Sequence, residues 1–209
     1  MNKKILIPLI IIIIGTVSFL IFSNIKKYQI KTIKYDLKKC DFDIIYGKEN
    51  APLTVFMYSS YNCIFCRKFF NETFPQIKKN FIDNGKMQLI IRFVDLTHDE
   101  YVFNSLKLAV CINQFGNFNP INKLLLTEPD VVYSREFLQT IDDFINKDSF
   151  VAECMLSGTA EEYLKNNEAE FKKIKLTGTP TFIINNRIYK GFRNYKSFSK
   201  IINQEFKKE

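Results

Sequence analysis

The fold of this 209-residue chain is decided by residues 52–66, whose sequence is PLTVFMYSSYNCIFC. The segment Pro52–Tyr58 is rich in β-branched and aromatic residues, so it predicts a strand. Residues 59–62 predict a loop, and apolar residues then recur at helical spacing from Cys63 to about residue 81. The motif Cys63-Ile64-Phe65-Cys66 therefore stands where a strand passes into a helix.

The regions on either side of this stretch complete an α/β pattern. Met87–Val94 predicts a second strand, nearly all apolar, so strand, helix and strand form a parallel βαβ unit. Near the chain end, Thr181–Asn185 and Arg187–Tyr189 predict two strands joined by a turn, and Tyr195–Lys207 predicts a closing helix. We therefore predict an α/β fold in the order β-α-β … β-β-α. Its halves are residues 44–96 and 176–209, and an all-helical insertion occupies residues 97–175.

Capping patterns mark where the insertion helices begin. Thr97 and Thr159 each start a capping-box pattern that ends three residues later in glutamate, so we expect both to be N-caps. Ser134 is expected to open a further long helix, with Phe137, Leu138 and Ile141 on its apolar stripe.

The C-x-x-C motif is typical of a redox dithiol in this strand-to-helix context. Cys63 is expected at the helix N-terminus, where free N–H groups and the helix dipole favour a thiolate and lower the pKa. Cys63 would then be the attacking and leaving sulfur, and Cys66, one turn inside, the resolving one. Half of a zinc site, or two structural thiols, are the alternatives. Zinc normally needs four ligands, and the chain has a single histidine, His98, and no second C-x-x-C. We therefore predict no metal.

Three further cysteines lie outside the motif. Cys111 and Cys154 fall on different insertion helices, where they form either a disulfide or two buried free thiols. A bond between them would stabilise the fold by up to roughly 4 kcal/mol in the chain-entropy model. Cys40 is expected to be free, although an intermolecular bridge is an alternative.

The excess positive charge of the chain lies in its N-terminal region. The net charge is +8, yet residues 40–209 hold 22 bases against 21 acids, so the body lacks a nucleic-acid footprint. Residues 5–22 are uncharged and follow Lys3 and Lys4, which predicts a membrane anchor or a cleaved signal peptide within residues 1–22. Residues 23–43 form a basic linker. Its lysines would place the body in the cytoplasm by the positive-inside rule, whereas the cysteine chemistry favours the opposite side.

Taken together, the motifs resemble those of the DsbA-type thiol-disulfide oxidoreductases of the thioredoxin superfamily. The resemblance covers roughly residues 44–206. It rests on stretches that occur in the family's order: residues 47–55, residues 61–66, the Gly178-Thr179-Pro180-Thr181-Phe182 step, and the insertion cysteines Cys111 and Cys154 with their flanking residues.

This resemblance implies a thioredoxin fold and an enzyme that needs no cofactor besides its own redox-active Cys63–Cys66 disulfide. Pro180 would be cis and would pack beside both cysteines, where a plain strand-entry proline is the alternative. Thr179 would offer its backbone to an extended substrate, and Ile64 and Phe65 would contact that substrate. The enzyme would introduce disulfides into secreted or membrane proteins at the extracytoplasmic face of a bacterial membrane or in the periplasm. A membrane quinone-linked, DsbB-like partner would reoxidise it. The same resemblance implies the Cys111–Cys154 bond.

Three departures from the family's pattern leave the direction of the reaction open. Met57 occupies a position where many relatives have a buried acid, Ser60 replaces the usual Asp, and the Ile64-Phe65 dipeptide is wholly apolar. A reductase or isomerase on the same scaffold is therefore the first alternative. A metal-binding thioredoxin-like module and a structural protein with a vestigial site are the others.

Overall fold

The computed structural model describes residues 35, 37–147 and 149–207, with the side chains of residues 144–149 excepted. The predicted anchor at residues 1–22 and most of the predicted linker lie outside these residues. Among the helices that the structure describes, none combines the length and the apolar character needed to cross a bilayer.

A five-stranded mixed sheet forms the centre of the fold, with the strand order β1-β3-β2-β4-β5. Strands β2 and β3 are parallel, and the other three pairings are antiparallel. The predicted thioredoxin-like α/β arrangement is therefore confirmed. The strands are β1 (Ile44–Tyr46), β2 (Leu53–Ser59), β3 (Met87–Phe93), β4 (Thr181–Ile184) and β5 (Arg187–Lys190).

Strand β1 was not predicted from the sequence. It has three residues, too few for a period-2 pattern to be recognised, and it pairs with β3 as an antiparallel edge strand. Gly47 follows it at φ +102°, where an added Cβ would lie 2.6 Å from the carbonyl oxygen of Met87. Glycine is therefore needed at the point where the chain leaves this edge.

Strand β2 is covered on both faces, as the parallel pairing requires. Val55 and Met57 point into the main core with Phe69, whereas Phe56 and Tyr58 point into a second cluster with Phe171 on the other face. Side chains alternate along a strand, so Ser59, two residues beyond Met57, shares the face that holds the main core.

The first helical region is a continuous run over residues 64–82 that alternates between α- and π-helical turns. Pro75 lies near its middle, and a proline inside a helix removes a backbone donor that wider turns accommodate. The run comprises α1 (Ile64–Lys68), a π-helical stretch (Phe69–Thr73), α2 (Phe74–Ile77) and a second π-helical stretch (Lys78–Ile82).

The insertion is helical, as predicted, and one more helix closes the chain against the sheet. A 3₁₀ turn (Pro129–Tyr133) separates its second and third helices. The helices are α3 (Glu100–Phe115), α4 (Phe118–Thr127), α5 (Arg135–Lys147), α6 (Ser149–Leu156), α7 (Thr159–Lys173) and, after the strands, α8 (Tyr195–Phe206).

Both capping-box predictions were wrong by one or two residues. Asp99, not Thr97, caps α3, and its Oδ1 accepts from the backbone N–H groups of Tyr101 and Val102. The hydroxyl of Thr97 instead donates to Asp95. Gly158, at φ +80°, precedes α7, and Thr159 is the first helical residue. In both cases a residue next to or near the threonine occupies the N-cap position, Asp99 in α3 and Gly158 in α7.

A buried arginine ties the end of the predicted linker to the sheet. Arg92 of β3 is 2% exposed, and its side chain bonds Asp43 at 3.0 Å, Glu170 at 2.5 Å and the carbonyl oxygen of Lys38. Burial alone would lower the pKa of Arg92, but the bonds to Asp43 and Glu170 outweigh it and raise the pKa. Tyr163 also donates to Asp43, at 2.8 Å. The chain from Lys38 to Asp43 is thereby fixed against the body.

Candidate active site

Cys63 stands at the N-cap of the residue 64–82 helical run. Its backbone is extended (φ −83°, ψ 110°), and its carbonyl oxygen accepts from the N–H groups of Cys66 and Arg67. Strand β2 ends at Ser59, and the three-residue connection that follows is short enough to bring Cys63 to the strand's carboxyl end. No side-chain hydrogen bond caps this helix, and the N–H groups of Phe65 and Cys66 bond the Cys63 sulfur.

The two cysteines of the motif differ in exposure and acidity. Cys63 is partly exposed, whereas Cys66 is fully buried. The hydrogen bond from the Cys66 thiol, with further bonds from the Thr179 side chain and the N–H groups of Cys66 and Phe65, lowers the pKa of Cys63 to about 5 against the opposing effect of burial. Burial raises the pKa of Cys66 well above its usual value, and the Cys63 sulfur raises it further. These surroundings favour a thiolate at Cys63 and a protonated thiol at Cys66.

The loop before β4 lies against Cys63. The Thr179–Pro180 peptide bond is cis, and Pro180 is buried. The Cys63 thiol donates to the carbonyl oxygen of Thr179 at 3.1 Å. That contact favours the protonated thiol, whereas the donors around the sulfur favour the thiolate. The donors outweigh the carbonyl contact because they are more numerous and include helix N–H groups.

Two apolar side chains of the motif face solvent beside Cys63. Ile64 is 64% exposed and Phe65 is 55% exposed, unusually high for large apolar residues next to one another. The neighbouring bases are engaged elsewhere. Arg67 donates to the carbonyl oxygen of Tyr61 at 3.0 Å, and Lys68 lies 4.9 Å from the centre of the Phe192 ring. Ile64 and Phe65 therefore give the surface next to Cys63 an apolar patch.

The core beneath the motif holds the apolar side chain of Met57 and the hydroxyl of Ser59. Met57 is fully buried, so no carboxyl lies at the position where many DsbA-type proteins have one. Ser59 is 1% exposed and lies against Cys66, and the backbone of Ser60 also bonds the Cys66 sulfur. Sequence analysis did not single out Ser59. The alternation along β2 could have found it, because Ser59 shares the face of Met57 one step nearer the motif.

The structure places the remaining cysteines apart from this pair. Cys111 of α3 and Cys154 of α6 form a disulfide that joins two insertion helices, with their Cα atoms 5.8 Å apart. Cys40 is free and exposed, and its sulfur lies 3.6 Å from the Arg92 side chain. In the part of the chain that the structure describes, no group of three or more His, Cys, Asp or Glu side chains could hold a metal ion. His98 stands in a left-handed turn (φ +57°) before α3.

The acidity of Cys63 gives a direct prediction. Titrating the thiolate absorbance of the reduced protein in a Cys40→Ser background should give a midpoint near the pKa of about 5 for Cys63. Thr179→Val removes one donor and should raise this pKa by up to about one unit. The matched control is Thr177→Val, at an exposed threonine whose hydroxyl bonds Lys190 instead. A wild-type titration midpoint at a pH of about 8.5, the pKa of an ordinary thiol, would contradict the prediction.

Comparison with known proteins agrees with this geometry. A family profile described as Thioredoxin matches residues 39–204. A putative protein-disulfide oxidoreductase of Rickettsia felis is 26% identical over 166 residues, which cover 77% of this chain. The chain spans only 59% of that relative's length. The disulfide bond formation protein D of Bacillus subtilis is 24% identical over 189 residues, which cover 78% of this chain and 77% of that protein.

Solved structures show the same fold. The crystal structure of Wolbachia pipientis alpha-DsbA1 superposes with a TM-score of 0.67 at 24% identity, covering 82% of this chain and 94% of that one. The resemblance to DsbA-type proteins drawn from the sequence is thus confirmed. Since the profile match at residues 39–204 takes in most of the chain, this protein belongs to the thioredoxin family.

Proposed function

We propose that this protein is an extracytoplasmic thiol-disulfide oxidoreductase that introduces disulfides into other proteins. The observation that carries the proposal is the unequal placement of its two thiols, with Cys63 partly exposed at a helix N-terminus and Cys66 fully buried one turn later. Such a pair reacts at a single sulfur and keeps the other out of solvent. The names of the relatives, protein-disulfide oxidoreductase and disulfide bond formation protein D, support the same chemistry.

The reaction proceeds by two thiol-disulfide exchanges. A substrate thiolate attacks Cys63 Sγ of the oxidised pair, the bond between the two sulfurs breaks, and its electron pair goes to Cys66. A second substrate thiolate then attacks the substrate sulfur of this mixed disulfide, and Cys63 leaves as a thiolate. The substrate is oxidised and the Cys63/Cys66 pair is reduced. Because the donors that lower the pKa of Cys63 stabilise the leaving thiolate, they favour oxidation of the substrate.

The substrate would bind across the apolar surface and the cis-proline loop. Ile64 and Phe65 together expose apolar area beside the reactive sulfur, which suits an unfolded chain that still exposes apolar side chains. The Thr179 backbone, whose carbonyl oxygen is 3.1 Å from Cys63 Sγ, would pair with an extended substrate segment as an added strand. Binding through backbone groups and apolar contact accepts many sequences.

The location and the partner belong to the same proposal. The Cys111–Cys154 disulfide supports an oxidising compartment, because such bonds persist outside the cytosol. We propose that residues 1–22 anchor the protein to a bacterial membrane, or are cleaved to release it, and that the body faces outward on the periplasmic or extracytoplasmic side. A membrane quinone-linked reoxidase would then restore the Cys63–Cys66 disulfide. No cofactor beyond that disulfide is required.

The reduction potential of the Cys63/Cys66 pair tests this proposal. Equilibration with glutathione buffers should give about −120 to −180 mV, the range of oxidants and isomerases, because a stabilised Cys63 thiolate favours the reduced form. A value near about −270 mV would instead support the reductase alternative and would contradict the proposed direction. Isomerase activity is separated from oxidase activity by supplying a scrambled rather than a reduced protein substrate.

The melting temperatures of the reduced and the oxidised protein provide an independent check on the reduction potential of the Cys63/Cys66 pair. The pKa of Cys63 is lowered in the folded, reduced protein from 9.0 to about 5, so the thiolate stabilises that form fully above pH 9.0. This stabilisation is lost as pH falls through about 5. The reduced protein should therefore melt above the oxidised one at neutral pH, and the gap should narrow on acidification.

A further inference from the structure

The buried thiol Cys66 presents a chemical problem that the motif alone does not solve. In the first exchange its sulfur leaves as a thiolate, and the same sulfur is 0% exposed. Burial raises the pKa of Cys66 well above the usual value, so the charged form is disfavoured where it has to appear. Met57 is fully buried and apolar, so it offers no carboxyl to take up or supply a proton.

Ser59 is the side chain placed to stabilise a thiolate at Cys66. It is the last residue of β2, it is 1% exposed, and it lies on the strand face that packs against the helix carrying Cys66. Its hydroxyl has no hydrogen-bond partner of good geometry among the residues that the structure describes. A buried hydroxyl without a partner costs stability, and native proteins rarely keep one without a reason.

In the reduced protein the Cys66 thiol is neutral, so its sulfur is only a weak hydrogen-bond acceptor for this hydroxyl. The Cys66 thiol donates its hydrogen to the Cys63 sulfur, so in the protonated state the Ser59 hydroxyl has no strong acceptor to point at. Even so, the Ser59 side chain is close enough to Cys66 to act against burial and lower the pKa of that thiol. A hydroxyl rotates freely about its C–O bond and can turn toward an anion once one forms.

We propose that Ser59 is a catalytic residue whose Oγ–H donates a hydrogen bond to the Cys66 sulfur as that sulfur becomes a thiolate. The inference rests on the proposed function and extends it to the buried half of the reaction. When a substrate thiolate attacks Cys63, the bond between the two sulfurs breaks and Cys66 receives the electron pair. Ser59 and the Ser60 backbone then stabilise the charge from within the core. The same bond would lower the barrier for Cys66 to attack in the reverse direction.

The rate of disulfide opening tests this role. Oxidised protein is mixed with a peptide bearing one cysteine, and mixed-disulfide formation is followed by acid quench. Ser59→Ala should slow this step by about ten- to a hundredfold, the effect of losing one hydrogen bond to a charged group. Ser59→Thr keeps the hydroxyl and should retain most of the rate. The matched control is Ser105→Ala, at a fully buried serine of α3 whose hydroxyl donates to Val102 of its own helix, and it should leave the rate unchanged.

A second measurement does not depend on any substrate. In a Cys63→Ala background, the Cys66 thiol is titrated through its Cβ chemical shift by NMR. Ser59→Ala should raise the pKa of Cys66, and Ser105→Ala should not. Ser59→Ala should also keep or raise the melting temperature, because it removes a buried hydroxyl that has no partner. A purely structural role for Ser59 would instead lower the melting temperature and leave the Cys66 titration where it was.

The possible outcomes separate this inference from the proposed function. If the wild-type protein exchanges no disulfide with the peptide, the proposed function fails, yet the Cys66 titration still decides the contribution of Ser59. If the wild type is active and Ser59→Ala changes neither the rate nor the titration more than Ser105→Ala does, the role of Ser59 is overturned. Equal effects of Ser59→Ala and Ser59→Thr would also overturn it, since the hydroxyl would then not be the cause.

Discussion

Replacing Cys63 with serine should abolish thiol-disulfide exchange, with a loss on the order of a thousandfold or more, the scale expected when a nucleophile is removed. The loss is expected to be complete because Cys66 is 0% exposed and cannot meet a substrate thiolate in place of Cys63. A serine hydroxyl is neither a leaving group for this exchange nor able to form the disulfide. The measurement is the rate at which the oxidised protein restores activity to a reduced, disulfide-dependent enzyme.

Two further variants give this prediction its controls. Cys66→Ser should keep an attacking sulfur at Cys63 and should accumulate a mixed disulfide that the missing thiol can no longer resolve. Cys40→Ser removes a free, exposed thiol beside Arg92 and should retain wild-type exchange. If the Cys63→Ser protein were active while Cys40→Ser was not, the reactive thiol would be Cys40, and the site described above would be wrong.

Replacing Arg92 with methionine should destabilise the protein by about 3–5 kcal/mol, the usual result of removing one partner from a buried ion pair. The Asp43 side chain is 0% exposed, so its charge would lose its main counter-ion without gaining water. The variant would also release the carbonyl oxygen of Lys38, and with it the chain that leads into the sheet. The measurement is the free energy of unfolding in urea, on the reduced and the oxidised protein separately.

A matched pair of variants tests whether burial is the cause. Adding Asp43→Asn to Arg92→Met removes the uncompensated charge and should recover part of the loss. Lys165→Met breaks the ion pair with Glu161, in which the two side chains are 66% and 39% exposed, and should leave the free energy of unfolding close to that of the wild type. If Arg92→Met cost no more than Lys165→Met, the buried network would not hold the segment from Lys38 to Asp43 in place.

The layout of the fold could be predicted because its signals are local. Strands β2 and β3 are runs of apolar residues, and the Asn185-Asn186 pair adopts the positive φ values of a tight turn. Cys63 could be placed at a helix N-terminus because a short loop separates it from a clear strand and an amphipathic helix follows it directly. Strand β1 could not be predicted, since three residues carry no periodicity and its existence depends on pairing with β3.

The N-cap predictions were wrong because N-cap geometry also depends on contacts that a short sequence pattern does not show. Thr97 matches a capping box in sequence, but its backbone N–H and its hydroxyl both donate to Asp95. Asp99 caps the helix instead. Which hydrogen bonds form around Asp95 and Asp99 depends on the three-dimensional path of the chain. A four-residue sequence pattern does not contain that information.

Periodicity and composition over neighbouring residues were enough to predict the fold class, the helical insertion and the C-x-x-C at the junction of a strand and a helix. The surroundings of the two sulfurs depend on tertiary packing. Thr179 reaches Cys63 across 116 residues of chain, and Ser59 meets Cys66 because a strand face and a helix face pack together. The acidity of a thiol depends on the donors and the burial around it, and residues distant in sequence supply part of both.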